Sequence, residues 1–215
     1  LICTSMYAVA GTDFQKEHNV TKDSEALFES DMMKLGENFN DPAVVHAFVH
    51  ASKVQYDWMQ KVGLKPRELA VGAGMSQPRG HVFTAQKVIE TMYGYAGKHG
   101  AAFRFNMPAK HLVWDADTHR VVGVIAAGKD GKEHAYQAKR GVIIATGGFA
   151  RSPKVLKKFN PYLTNCDVLS ASGSTGDGLL MALELGADFR DTAFIKATYG
   201  SKPGLTSVTE STTIY

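Results

Sequence analysis

The sequence predicts an α/β fold: helices flanking a parallel sheet, with a β-hairpin or meander attached. Three observations point there. The first hundred residues carry repeated helical periodicity, with apolar residues three and four apart and capping signals at the ends. The period then changes to the alternation of strands, including two runs joined by a glycine-rich turn. Finally, a short continuous apolar run, Val142-Ile143-Ile144-Ala145, ends on a glycine pair and is followed by a helix start.

In chain order, Asp23-Ser24 leads into a helix over Glu25–Met33, with Leu27, Phe28, Met32 and Leu35 on one face and Gly36 closing it. Asn40-Asp41-Pro42 starts a second: Asp41 caps, and Pro42 suits the first helical position because its missing N–H is no loss there. That helix runs to about Gly63, with Val44, Val45, Phe48, Ala51, Val54, Tyr56, Trp58 and Met59 as a broad apolar face. Residues 64–80 read as a Gly/Pro-rich loop, and a third helix covers about Thr84–Lys98. Ala102–Met107 alternates like a strand, and His111–Trp114 is a second short one. Val121–Ala127, a turn over Gly128–Lys132 and His134–Ala138 make a hairpin. Gly141–Gly148 reads as a buried parallel strand whose C-terminal end meets a ligand, the usual position of sites in open α/β sheets. A last helix starts at Thr175-Gly176-Asp177-Gly178 and stops at Gly186.

Composition narrows the function classes. The chain has 215 residues, 24 Lys and Arg against 21 Asp and Glu, and 44% hydrophobic content, the profile of a globular domain. A net charge of +3 is too small a bias to point to nucleic acid or a membrane surface. No apolar run approaches the roughly 18 residues of a spanning helix. Cys3 and Cys166, far apart and unaccompanied, exclude a disulfide framework, a thiolate zinc site and a CxxC redox pair. His46 and His50 stand four apart, but Ala47 replaces the glutamate of a zincin helix, so the pair reads as a helix flank and no metal is expected.

Two stretches carry the chemistry. At Ala145-Thr146-Gly147-Gly148, glycine permits positive φ and close approach of the backbone to a ligand, while a hydroxyl and free N–H groups offer polar contacts. The alternative is a plain strand-to-loop turn. At Gly173–Gly178, a helix start presents unpaired N–H groups, and Asp177 either accepts from a ribose or ribityl hydroxyl or simply caps the helix. A dinucleotide G-x-G-x-x-G fingerprint is absent: Gly72-Ala73-Gly74 lacks the third glycine and follows no buried strand.

In combination these segments resemble the flavoprotein family of soluble fumarate reductases, urocanate reductases and 3-ketosteroid dehydrogenases, which is similar to succinate dehydrogenase flavoproteins. Thr4-Ser5-Met6-Tyr7-Ala8 resembles the loop that crosses the flavin face. Gly141–Phe149 resembles the strand ending in A-T-G-G-F, and Ser174–Gly178 the T-G-D-G helix start. The resemblance covers essentially the whole chain and implies FAD as cofactor and part of a Rossmann-like FAD-binding domain whose first βαβ fingerprint lies before Leu1. With Leu1 in place of a starting Met and Val208–Tyr215 running in a strand-like pattern, the chain is expected to be an internal piece of a longer protein. Residues 1–205 would be the middle portion of the FAD-binding domain and residues 206–215 the start of a substrate-capping domain.

Residue by residue, the resemblance places Thr4, Ser5 and Met6 against the flavin, Thr4 and Ser5 at backbone positions where relatives often have glycine. It places Ala109 where a main-chain contact to adenine falls, Ala145, Thr146 and Gly147 along the cofactor, and Asp177 as its polar anchor. Val208-Thr209-Glu210 resembles the family's V-T-E: Thr209 would hold a substrate carboxylate and Glu210 would join a proton relay to a catalytic arginine outside this chain. The implied reaction is reduction of a carbon–carbon double bond conjugated to a carboxylate by hydride from flavin N5. Electrons would come from a haem or flavin module also outside the chain. Ring-ketone desaturation, as in steroid dehydrogenases, is the second reading; a catalytically inactive core is the third, and the one expected of this 215-residue chain by itself.

Departures from the family pattern bear on the substrate. Where fumarate reductases carry a histidine before V-T-E, this chain reads Lys196-Ala197-Thr198-Tyr199-Gly200, and Tyr199 resembles the urocanate-reductase arrangement. An arginine-rich loop of some fumarate reductases is shortened to Gln77-Pro78-Arg79-Gly80-His81. Fumarate is therefore not the first expectation among unsaturated carboxylates.

Overall fold

The structure is a computed structural model that describes residues 5–192 except 167 and 169. Its contacts divide the chain between Phe103 and Arg104 into two compact units.

The first unit holds strand β1 (Met6–Ala8), helices α1 (Asp13–Glu17), α2 (Glu25–Leu35) and α3 (Pro42–Lys61), strands β2 (Glu68–Ala70) and β3 (Gly80–Val82), and helix α4 (Ala85–Lys98). Ser24 caps α2 by accepting from the Leu27 N–H, and Asp41 caps α3 by accepting from the Ala43 N–H, with Pro42 at the first turn. Helix α2 stops at Gly36, but the left-handed turn that follows is taken by Glu37 and Asn38, with φ of 51° and 62°. Along α3 the buried stripe is Val45, Val49, Ser52, Tyr56 and Met59, spaced three and four apart. It is narrower than the apolar content suggests, because Val44, Phe48 and Val54 are exposed. Val9, Tyr56, Met59, Leu64 and Phe83 form one core cluster, and Ala10, Phe28, Val45 and Val49 a second.

Strands β1 and β2 flank β3 in an antiparallel sheet, with Tyr7 and Leu69 both opposite His81. The expected loop over residues 64–80 thus contains β2 and delivers the start of β3. Three-residue strands are too short to show an alternation, which is why the pattern stayed hidden in a glycine-rich stretch.

The second unit is built on strands β4 (Ala109–Asp115), β5 (Arg120–Ala127) and β6 (Glu133–Gln137), followed by helix α5 (Pro153–Phe159), a 3-10 turn (Pro161–Leu163) and helix α6 (Asp177–Glu184). The strands form an antiparallel meander in the order β4-β5-β6, and the expected hairpin is present in register Val124↔Tyr136. Its turn closes with the Gly128 N–H donating to the Lys132 carbonyl at 2.8 Å, and Gly131 takes φ 75°. Helix α6 lies against β4, where His111 Nδ1 and Glu184 Oε2 are 3.5 Å apart.

The architecture is α/β as expected, with two corrections. Ala102–Met107 forms no strand: Asn106 has φ 56°, which breaks an extended run. Gly141–Gly148 is not a buried parallel strand either, and every pairing among the described residues is antiparallel. A strand exists only as a member of a ladder. Val142-Ile143-Ile144 has the composition of one but no partner among the described residues, and Ile143 is 92% exposed.

Candidate functional site

The glycine turn and the head of α6 meet within the second unit. The Gly176 N–H donates to the Gly148 carbonyl at 3.1 Å, and the Arg151 N–H donates to the Ser174 carbonyl at 2.9 Å. Gly176 is the N-cap of α6 in the left-handed region, φ 81°. Its neighbour Gly178 is buried so tightly against the turn that a Cβ there would lie 2.3 Å from Thr146 Oγ1 and 2.4 Å from Ile144 Cγ2. Gly147, with φ 72°, faces open space: nothing lies within 4 Å of where its Cβ would be, nor of that of Gly148. Ala145, Thr146 and Gly147 are all exposed.

Asp177 occupies the first position of α6 and does not cap it. Its exposed carboxylate has no hydrogen bond or ion pair among the described residues. The helix-cap alternative therefore fails, and a free acceptor stands at the head of a helix that is joined to an open, glycine-lined turn. This arrangement fits a hydroxyl-bearing nucleotide cofactor. Backbone N–H groups and an acid are presented together, and among the described residues no side chain lies within 4 Å of where a Cβ on Gly147 or Gly148 would be. Ala109 sits at the start of β4 opposite Ala126, next to a register irregularity at Lys110.

In the first unit, Ser5 adopts φ 59°, the left-handed conformation that glycine tolerates best. Its carbonyl accepts from the Phe83 N–H at 2.8 Å. Met6 follows at the start of β1, paired with Val82, and its thioether packs on Gly80, where a Cβ would come within 2.4 Å of the sulfur. Thr4, Tyr199, Thr209 and Glu210 lie outside the described residues.

Sequence reasoning missed a buried polar network beneath β1. Arg79 and His81, expected in a shortened form of the family's arginine-rich loop, are fully buried. Arg79 Nη2 and Nε donate to the two Asp23 oxygens at 2.7 and 3.2 Å, and Nη1 donates to Asp31 Oδ2 at 2.5 Å. The guanidinium also lies over the Phe28 ring, 4.8 Å from its centroid. Burial pushes the Asp31 carboxyl up, but the Ser76 N–H and hydroxyl together with Arg79 more than offset this and hold it below its ordinary value.

The His81 ring completes the network. The Arg79 carbonyl, 2.9 Å from Nδ1, can only accept, so Nδ1 carries the hydrogen. Nε2 then accepts from the Thr12 hydroxyl at 2.8 Å, and that oxygen accepts in turn from the Gln15 N–H at 3.0 Å. Burial lowers the His81 pKa, which keeps the ring neutral. Thr12 and Gln15 form a capping box on α1, a T-x-x-Q signal present in the sequence. No comparable signal marks Arg79, because burial of a cation depends on carboxylates that lie 48 and 56 residues away.

Comparison with known proteins identifies the family. The family model described as FAD binding domain matches residues 2–200. A fumarate reductase (cytochrome) of Shewanella frigidimarina is 32% identical over 193 residues, covering 87% of this chain and 33% of the relative. The open conformation of a flavocytochrome c3 fumarate reductase superposes with a TM-score of 0.81 at 28% identity, over 87% of this chain and 34% of that one. A 3-ketosteroid-Δ4-(5α)-dehydrogenase of Rhodococcus jostii RHA1 superposes at 0.75 and 27% identity, over 86% and 45%. The chain spans about a third of the length of the curated relatives it matches.

Proposed function

The chain belongs to the FAD binding domain family, with FAD as its cofactor, and from this premise we propose that it forms part of an oxidoreductase acting on a carbon–carbon bond next to a carboxylate. The reaction is reduction of an α,β-unsaturated carboxylate of the fumarate, urocanate or acrylate kind. Bound FAD supplies the hydride chemistry, and the protein supplies binding and orientation.

One observation in this chain carries the reading: the open Ala145–Gly148 turn is bonded to the head of α6, Gly176 to Gly148, with the Asp177 carboxylate, unpartnered among the described residues, beside it. Thr146 and the glycine N–H groups hold the cofactor's polar edge, and Asp177 accepts from a hydroxyl. Ser5 and Met6 present backbone to the flavin, and Ala109 presents it to the adenine. Thr4 belongs to the same flavin-facing segment. Thr209 holds the substrate carboxylate, Glu210 relays a proton to an arginine outside the chain, and Tyr199 lines the substrate side.

Residues 1–205 are read as the middle portion of the cofactor domain and residues 206–215 as the start of a cap. Electrons arrive from a haem or flavin module beyond the chain. The 215 residues alone are a catalytically inactive core. The test is the full-length parent, loaded with FAD, supplied with a reduced viologen and a panel of enoates. Turnover of at least one enoate is expected; with FAD bound and none turned over, the proposal fails. A purified 215-residue chain carrying stoichiometric FAD and reducing an enoate would overturn the inactive-core reading.

A further inference from the structure

Helices α2 and α3 bring four side chains with metal-site chemistry together on the surface of the first unit, none of them used above. His46 and His50 are one turn apart on α3, and Glu29 and Glu25 one turn apart on α2 face them in the opposite order. His46 Nδ1 lies 2.8 Å from Glu29 Oε1, and His50 Nδ1 lies 3.6 Å from Glu25 Oε2. Both rings are largely exposed, at 72% and 69% of the side chain.

A carboxylate can only accept, so the 2.8 Å contact fixes the hydrogen of His46 on Nδ1 and leaves the Nε2 lone pair for another partner. Glu25 stands on the same side of His50. No hydrogen bond or ion pair engages either Nε2 among the described residues. An imidazole held through Nδ1 by a carboxylate, with Nε2 open, is the usual form of a metal-ligating histidine, because the carboxylate sets the tautomer and raises the basicity of the other nitrogen. His46 is held in this way, while His50 has the Glu25 carboxylate 3.6 Å from Nδ1, beyond hydrogen-bond distance. The two rings at i and i+4 share one helix face, the spacing by which two histidines of a metalloprotease helix grip one zinc ion. The nearby cation Lys53 is tied to Asp57 at 2.7 Å from both oxygens.

We propose that His46 and His50 form a surface site for a late first-row divalent cation, Zn²⁺ or Cu²⁺, with Glu29 as the carboxylate that orients the His46 ring and Glu25 facing His50. Imidazole suits these ions, whereas Mg²⁺ and Ca²⁺ prefer oxygen and are not bound there. Among the described residues no three His, Cys, Asp or Glu side chains converge on one point. The site therefore offers two protein nitrogens and leaves the remaining positions to water, an open site rather than a closed structural one.

The experiment uses the 215-residue chain with Zn²⁺ alone in calorimetry and Cu²⁺ alone in electron paramagnetic resonance. One Zn²⁺ per chain is expected, its affinity falling at least tenfold in His46→Ala and in His50→Ala. Glu29→Gln should weaken it tenfold to a hundredfold, the range expected when a ligand's orienting partner is lost. Cu²⁺ should show coupling to two imidazole nitrogens, reduced to one in either histidine variant. Both rings are exposed, so the variants retain the far-ultraviolet circular dichroism of the parent chain. Absence of binding, binding unchanged in the double variant, or a single-nitrogen signature in the parent chain each overturns the proposal.

Discussion

Gly176 and Gly148 are joined by a backbone hydrogen bond of 3.1 Å, and this bond ties the head of α6 to the turn at which the cofactor is proposed to lie. The relationship depends on close approach. Gly178 is the next residue but one, and a methyl group there would fall well inside van der Waals distance of Thr146 and Ile144. Both obstructing side chains are β-branched and stiff at χ1, so they cannot rotate aside at little cost.

Gly178→Ala is accordingly expected to destabilise the second unit by about 1–3 kcal/mol, the usual penalty of overpacking. It should also move the turn away from α6. A urea titration of the chain measures the first effect, and FAD affinity in the full-length parent measures the second. Gly147→Ala has space for its methyl group but must hold φ 72°, so its cost is about 1 kcal/mol and comes from the backbone. A Gly178 variant as stable as the parent chain would show that Thr146 and Ile144 give way.

Arg79 offers a test in the first unit. Removing one partner of a buried ion pair leaves uncompensated charge, so Arg79→Met is expected to cost about 3–5 kcal/mol by chemical denaturation. Asp31→Asn should cost far less, about 1 kcal/mol, because Asp23 still holds the guanidinium through two nitrogens. Equal losses in the two variants would mean that Asp31, not Asp23, dominates the pair.

How much of this was legible in the sequence depends on the range of each interaction. Helices α2, α3 and α4 announce themselves through local caps and spacing, and Asp41-Pro42 marks the start of α3 to the residue. Helices α1 and α5 also carry local signals, Thr12-x-x-Gln15 and Ser152-Pro153, which were present but unused. The resemblance placed Ser5 where relatives often have glycine, and Ser5 takes φ 59°, a conformation glycine tolerates best. The Arg79 network was not legible, because its partners are joined only by the fold. The run 141–144 misled for the opposite reason: its composition is that of a buried strand, but burial depends on neighbours that the described residues do not supply.

Ser5 makes the backbone argument testable. A left-handed non-glycine residue costs about 1–2 kcal/mol. Ser5→Gly should therefore be neutral or slightly stabilising, and Ser5→Val should destabilise by about 1–2 kcal/mol in thermal or chemical unfolding of the chain. Loss of stability on Ser5→Gly would indicate that the side chain itself contributes more than the backbone strain removes.

Stability should fall at both ends of the pH range, for reasons that can be separated. The pKa of His81 is lowered in the folded chain by burial, so between that value and the ordinary 6.5 the unfolded chain binds the extra proton. Stability thus rises with pH through this window and is lost as pH falls below about 6.5. Asp31 acts in the same direction lower down: its folded pKa lies below 3.8, and its contribution disappears as pH falls through that region. Tyr56 has the opposite sign. Burial pushes its phenol up to about 12 from 10.0, so above pH 10 the unfolded chain releases a proton that the folded chain keeps, and stability declines. Urea midpoints from pH 3 to 11 measure the whole curve. In His81→Phe the slope just below pH 6.5 should vanish while the fall near pH 4 persists, although the lost Thr12 and Arg79 partners lower the curve as a whole. A slope unchanged by that substitution would assign the first acid step to another histidine.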